Sequence, residues 1–237
     1  MSLIKCPECG AQISDKAYYC PQCGYQNFFE QGRNLSQKMW TEIVIRAKQM
    51  HVIWLYATIC LVTTLICMSD SKMMSILAVD GGNFELAKIY TLVTYSLAHG
   101  GIIHWFFNML FLVLAGLILE PRLGGLKTMF VLLAGILATS ISYALFGSTP
   151  MISSIGVVYA VIGGIIGLWI TNTASLYSIE KLITILLTIH IFINLVFSHP
   201  NSTRIFVFGF LAGFLVVFIM NRTGHIKLNN TPSAETC

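Results

Sequence analysis

Ile102–Leu119 reads I-I-H-W-F-F-N-M-L-F-L-V-L-A-G-L-I-L, with no Asp, Glu, Lys or Arg anywhere in the block. A helix needs roughly 20 mostly apolar residues to cross the ~30 Å hydrocarbon core of a bilayer. In that environment only a helix or a closed barrel satisfies its own backbone. Five more blocks of this kind follow or precede it: Val52–Met68, Thr128–Phe146, Ile155–Ile170, Leu182–Phe197 and Ile205–Met220. The last three are short, and Gly163, Gly164 and Gly167 suit a helix surrounded by other helices. The whole chain agrees: 237 residues, 56% hydrophobic, 10% charged, mean hydropathy +0.76. So little charge excludes an ordinary soluble domain. The expected fold is an all-α polytopic membrane protein of six spans.

Lys and Arg near the span ends orient the bundle. Lys38, Arg46, Lys48, Arg122, Lys127, Lys181, Arg222 and Lys227 collect on one side, against Lys72, Lys88 and Arg204 on the other. This asymmetry predicts that both termini are cytosolic, and the location expected is the plasma membrane of a prokaryote. The net charge of +4 then reflects topology, and nucleic acid is the weaker candidate partner. Residues 1–33 have no basic surplus either: Lys5, Lys16 and Arg33 stand against Glu8, Asp15 and Glu30.

Outside the spans, residues 69–101 form a long outer loop with apolar stretches around Asp80-Gly81-Gly82, expected to lie in the membrane interface. Leu35–Met50 mixes Trp40, Ile43, Val44 and Met50 with Lys38, Arg46 and Lys48, the pattern of an interfacial helix. No signal-peptide pattern precedes the first block; a polar segment with four cysteines does. The expected organisation is a metal module over 1–27, a linker and interfacial helix over 28–50, a membrane domain over 51–221 and a disordered polar tail over 222–237. There is no internal repeat.

The metal module rests on two knuckles, C-P-E-C-G at Cys6–Gly10 and C-P-Q-C-G at Cys20–Gly24. Each CxxC turns two thiolates toward one point, and two such loops complete a tetrahedral all-sulfur site. Disulfides are the alternative, disfavoured in a reducing cytosol. The pattern is that of a zinc ribbon with Cys6, Cys9, Cys20 and Cys23 as ligands. Four protein thiolates close the site, so the zinc is structural. So short a segment cannot hold a core, and metal binding supplies its folding free energy. Cys60 and Cys67 in the first span are read as packing residues.

Polar residues inside spans are candidate sites. His99, His104 and Asn108 cluster at the start of the second span, and His104 and Asn108 share a helix face at i and i+4. Such a pair can aim an imidazole and an amide nitrogen at one oxyanion, or simply bond neighbouring helices together, and periodicity alone favours the second. His190 and Asn194 repeat the spacing in the fifth span, where packing is the expected role.

Taken as a set, these features resemble the rhomboid intramembrane serine proteases over about residues 50–221. Ala98–Phe111 (A-H-G-G-I-I-H-W-F-F-N-M-L-F) resembles the family's second span, whose second His and Asn support the oxyanion. Leu119–Gly124 (L-E-P-R-L-G) resembles its E-x-R-L-G loop, Gly156–Gly163 the nucleophile helix, and Gly209–Gly213 the end of the sixth span. The resemblance implies a six-span bundle in which a serine in G-x-S-G on the fourth span pairs with a histidine on the sixth. Here Ser153-Ser154-Ile155-Gly156 places Ile155 at the nucleophile position, and alignment on Gly209 places Phe206 at the histidine position. Tyr90-Thr91 stands where the family carries a Trp-Arg pair. Ser154 is one residue early, a rotation of ~100° on a helix, and no base is expected beside it. His104 and Asn108 then read as the remnant of an oxyanion hole, facing Gly156.

The expected function is that of a rhomboid-fold pseudoprotease that binds transmembrane helices of client proteins, with a zinc ribbon offering a cytosolic surface for a protein partner. One alternative is an active intramembrane serine protease with Ser154 as displaced nucleophile. Another is a zinc-ribbon membrane scaffold or sensor. The topology is checked by single-cysteine labelling: Ser36→Cys and Thr231→Cys are expected to react from the cytosolic side and Gly82→Cys from the outer side. Labelling of Gly82→Cys from the cytosol would overturn the six-span arrangement at its first loop.

Overall fold

The protein was analysed as a computed structural model describing residues 3–6, 8–14, 17, 19–25, 28–82, 84–171, 178–197 and 200–223. Most of the expected tail, from residue 224 onward, lies outside the described residues, as does His199. The chain divides into two compact units, the first ending at Ile45 and the second beginning at Arg46.

In the first unit, β1 (Leu3–Lys5) pairs antiparallel with β2 (Gln12–Ser14), Ile4 opposite Ile13. Helix α1 (Phe28–Lys48) follows and runs past the boundary between the units. The hairpin core is minimal: Cys6, Ile13 and Cys20 are buried, with Ala11 and Tyr25 packed against them.

The second unit is helical. Its elements are α2 (Val52–Ser69), α3 (Ser71–Leu77), a 3-10 turn (Leu86–Lys88), α4 (Thr91–Thr94), α5 (Ile102–Leu123), α6 (Gly125–Phe146), α7 (Ile155–Thr171), α8 (Ser178–Phe197) and α9 (Pro200–Arg222). The six apolar blocks correspond to α2 and α5 to α9. By length and hydropathy, α2, α5, α6 and Ile205–Arg222 of α9 can each cross a bilayer, while α7 is a shorter apolar helix of 17 residues. Helix α7 sits centrally, packed against α5, α6 and α9, and the principal neighbour of α8 is α5. The outer loop is largely structured. Val79 pairs with Met151, and Gly82 N–H donates to Ala144 O at 3.1 Å.

The α7–α9 contact is close because both helices present glycine. A Cβ on Gly163 would collide with Phe210 O, one on Gly209 with Gly156 O, and one on Gly213 with Ala160 O. Small residues are what permit such approach in a membrane, where no hydrophobic difference separates helix from lipid.

One sequence expectation is corrected here. Leu119–Gly124 was expected as a loop, but α5 remains helical through Leu123 and turns at Gly124, whose φ is +81°. Pro121 lies inside that helix. It has no N–H for Leu117 O, one turn earlier. Arg46 Nη1 donates to Leu117 O instead, at 3.1 Å. The neighbouring residues complete a buried ionic network. Glu120 accepts from the N–H groups of His51, Val52 and Ile53 at 2.8–3.0 Å, and so caps the start of α2 with a carboxylate. Glu180, at the start of α8 and fully buried, accepts from Arg46 at 2.9 Å and from Arg122 at 2.6 and 3.0 Å. Bidentate pairing of this kind is what makes a buried charge tolerable. Glu180→Ala would leave two buried guanidinium groups without their carboxylate. The expected loss is ~3–5 kcal/mol, read as a lower thermal midpoint in detergent, whereas an unchanged midpoint would show the network to be dispensable.

Candidate functional site

The described part of the first unit brings Cys6, Cys9, Cys20 and Cys23 together, their sulfurs all within 4.8 Å of one another. Backbone geometry does this twice in the same way. Gly10 N–H donates to Cys6 O and Gly24 N–H to Cys20 O, with φ of +71° and +76° at the two glycines. Cys6 and Cys23 sulfurs lie 3.7 Å apart, and those of Cys9 and Cys20 3.6 Å apart. Those separations are far longer than a disulfide bond of about 2.05 Å. They match the ~3.8 Å edge of a tetrahedron built on Zn–S bonds of about 2.3 Å. The backbone N–H of Cys23 pulls the Cys20 thiol down to about 7, while Cys9 and Cys23 beside it are raised, so what points to a metal is the convergence of the four sulfurs. The donor set therefore fits a closed zinc site.

In the second unit a cavity of about 420 Å³ lies between α5, α7, α8 and α9. Its walls carry His104 and Asn108 from α5, Ser153 and Ile155 at the start of α7, His190 and Asn194 from α8, and Phe206 from α9. Phe206 is buried and stacked on Tyr159, with ring centroids 4.6 Å apart. Ile155 and Phe206 thus both line the space, and neither side chain can hold or move a proton.

Helical spacing puts His104 and Asn108 on the same wall. Gly100 N–H donates to His104 Nδ1 at 3.2 Å. In the neutral ring this places the proton on Nε2. Nε2–H then faces Ser153 Oγ at 3.5 Å, a long contact. Ser153 Oγ also accepts from Ile155 N–H at 3.1 Å, as a cap for α7. Activating a serine requires a lone pair on the histidine, and Ser153 meets an N–H. Asn108 Nδ2 donates back to His104 O at 2.9 Å, leaving the buried Oδ1 without a partner among the described residues.

Three expectations change. His104 and Asn108 share the cavity with Ser153 and Ile155, not with Gly156, whose Cα instead abuts Thr139 and Gly209. Ser154 has a histidine after all: His99 Nε2 lies 2.9 Å from its Oγ, with Thr64 Oγ1 at 3.3 Å from His99 Nδ1. Both Ser154 and His99 are fully buried, and neither lines the cavity. Ser154 lies just before α7, which begins at Ile155, and it turns away from the cavity that Ser153 and Ile155 line. Finally, His190 and Asn194 border the cavity as well as packing. His190 stacks on Phe111 at 3.7 Å between centroids, and Asn194 Nδ2 donates to His190 O at 2.9 Å. Their repeat of the His104–Asn108 spacing was the available signal, but which neighbour they face depends on helix packing. Of the loop pair, Thr91 is buried and donates to Lys88 O at 2.7 Å, while Tyr90 is exposed.

Comparison with known proteins agrees with this architecture. A zinc-ribbon family model matches residues 5–27, and a family model of the rhomboid domain matches residues 86–224. The chain is 26% identical over 165 residues to RHOMBOID-like protein 4 of Arabidopsis thaliana, covering 65% of this chain and 42% of that protein. It is also 32% identical over 60 residues to an uncharacterized protein of Haemophilus influenzae, covering 23% of this chain and 79% of that one. The chain thus spans less than half the length of the Arabidopsis relative. With more than half of its residues inside the rhomboid match, and with apolar helices able to span a bilayer, the chain belongs to the rhomboid family of integral membrane proteins.

Proposed function

We propose that this protein is a rhomboid pseudoprotease, a membrane protein that binds transmembrane helices of clients in its cavity without cleaving them. The observation that carries this reading is the pair Ile155 and Phe206 in the cavity wall, at the two positions where the family's serine and histidine would stand. The remaining serines support it. Ser153 faces the protonated nitrogen of His104, and Ser154 is buried with His99 away from the cavity. His104 and Asn108 are read as an oxyanion-hole remnant that has lost the nucleophile it served. On this reading both termini are cytosolic, and the chain divides into a zinc ribbon over 1–27, a linker and interfacial helix over 28–50, the membrane domain over 51–221 and a polar tail over 222–237. The zinc ribbon would add a cytosolic surface for a protein partner.

The deciding experiment exposes the purified protein in liposomes to single-span peptide substrates and to a fluorophosphonate probe. No cleavage and no labelled serine are expected. In parallel, a photocrosslinking amino acid at Phe206 should capture the peptides. Cleavage abolished by Ser154→Ala, or labelling abolished by Ser153→Ala, would establish a displaced nucleophile and remove the pseudoprotease reading.

For the ribbon, elemental analysis is expected to find one zinc per chain, absent from a Cys6→Ser/Cys9→Ser variant. Because metal binding contributes on the order of 10–16 kcal/mol to folding such modules, chelation should unfold residues 1–27 and spare the membrane helices. Acidification should release the metal, since each thiol must give up its proton to bind as a thiolate. Stoichiometric zinc in the doubly substituted chain would refute the assignment.

A further inference from the structure

The four cysteines of the ribbon are not equivalent. Cys6 and Cys20, the first of each knuckle, are buried with Ile13, at 2% and 1% exposure. Cys9 and Cys23, the second of each knuckle, are exposed. Close sulfur contacts cross from one knuckle to the other: Cys6 to Cys23 at 3.7 Å and Cys9 to Cys20 at 3.6 Å. Each contact therefore pairs a covered sulfur with an open one. Oxidants select cysteines by exposure and thiolate character. Metal binding requires all four as thiolates, so in the assembled site exposure is what distinguishes them, and it singles out Cys9 and Cys23.

We propose that the ribbon is a reversible oxidation site for hydrogen peroxide, with Cys9 and Cys23 as the attacking sulfurs and Cys20 and Cys6 as their resolving partners; this rests on the zinc-ribbon reading above. The Cys9 thiolate attacks one peroxide oxygen, forming an S–O bond and breaking the O–O bond. The departing hydroxide takes a proton and becomes water. The Cys20 thiolate then attacks the Cys9 sulfur, forming the disulfide and breaking the S–O bond, and a second hydroxide leaves and is protonated to water. Two thiolates have lost two electrons, and the peroxide has gained them. Cys23 and Cys6 repeat the sequence, after which no thiolate remains to hold zinc. Both disulfides join knuckle to knuckle, as the four-sulfur site does, so the ribbon stays stapled without its metal. A dithiol restores the thiols by exchange, and in a reducing compartment the thiol form is the resting one.

The test treats the full-length, zinc-loaded protein in detergent with hydrogen peroxide. Zinc release is followed with a chromogenic chelator, and disulfides are mapped by mass spectrometry of the unreduced digest. Release of the bound zinc is expected, with peptides linked Cys6 to Cys23 and Cys9 to Cys20, and zinc rebinding after dithiothreitol. A Cys60→Ser/Cys67→Ser/Cys237→Ser variant should behave identically, because the reaction uses only the ribbon. Zinc retained in excess peroxide would overturn the proposal while leaving the zinc site standing. So would links within a knuckle, Cys6 to Cys9 or Cys20 to Cys23, or irreversible conversion to sulfinic acid. A chain that purifies without zinc would remove the zinc reading and this inference with it.

Discussion

The site exists because α7 and α9 can touch. Within a bilayer, lipid tails are as apolar as leucine, so helices associate through close packing, not through escape from water. Gly163, Gly209 and Gly213 remove the side chains that would hold the two backbones apart, and the carbonyls of Phe210, Gly156 and Ala160 occupy the space a Cβ would need. Cα–H groups can then approach carbonyl oxygens directly, a weak contact that recurs at such interfaces. This approach also brings Phe206 over Tyr159 and sets it across from Ile155. On the reading proposed above, Ile155 and Phe206 stand at the family's proteolytic positions, and both are hydrocarbon.

Buried polar groups in the bundle fall into two kinds. Glu120, Arg122, Glu180 and Arg46 are saturated: each carboxylate has several donors, and Arg46 also relieves the carbonyl that Pro121 leaves open. A fully satisfied network rigidifies the structure, and here it joins Arg46 to α5 and α8 and the start of α2 to α5. The cavity polar groups are only partly satisfied, and Asn108 Oδ1 is the clearest instance.

The ribbon obeys a different constraint. With Cys6, Ile13 and Cys20 as its buried centre, it has too little apolar surface to fold by burial. Its backbone nevertheless holds two knuckles of matching geometry, each closed by a glycine with positive φ, so that four sulfurs converge. Coordination chemistry can supply there what packing does not.

Much of this was legible in the residues themselves. Long uncharged blocks can only be helices in lipid, because the bilayer offers no partner for an open backbone. Paired CxxC knuckles constrain four thiolates locally, within a few residues of each, and so declare their chemistry without a fold. The helix period places His104 with Asn108 and His190 with Asn194. Tertiary structure decided the rest, because it concerns residues far apart in the chain and depends on the rotation and depth of each helix. It set His190 and Asn194 around the same cavity as His104 and Asn108, and joined Ser154 to His99 across 55 positions. It also gave Leu117 O its donor in Arg46, from a different helix. Just before and at the start of α7, Ser153 and Ile155 line the cavity while Ser154 between them turns inward to His99, a choice made by the packing of the surrounding helices.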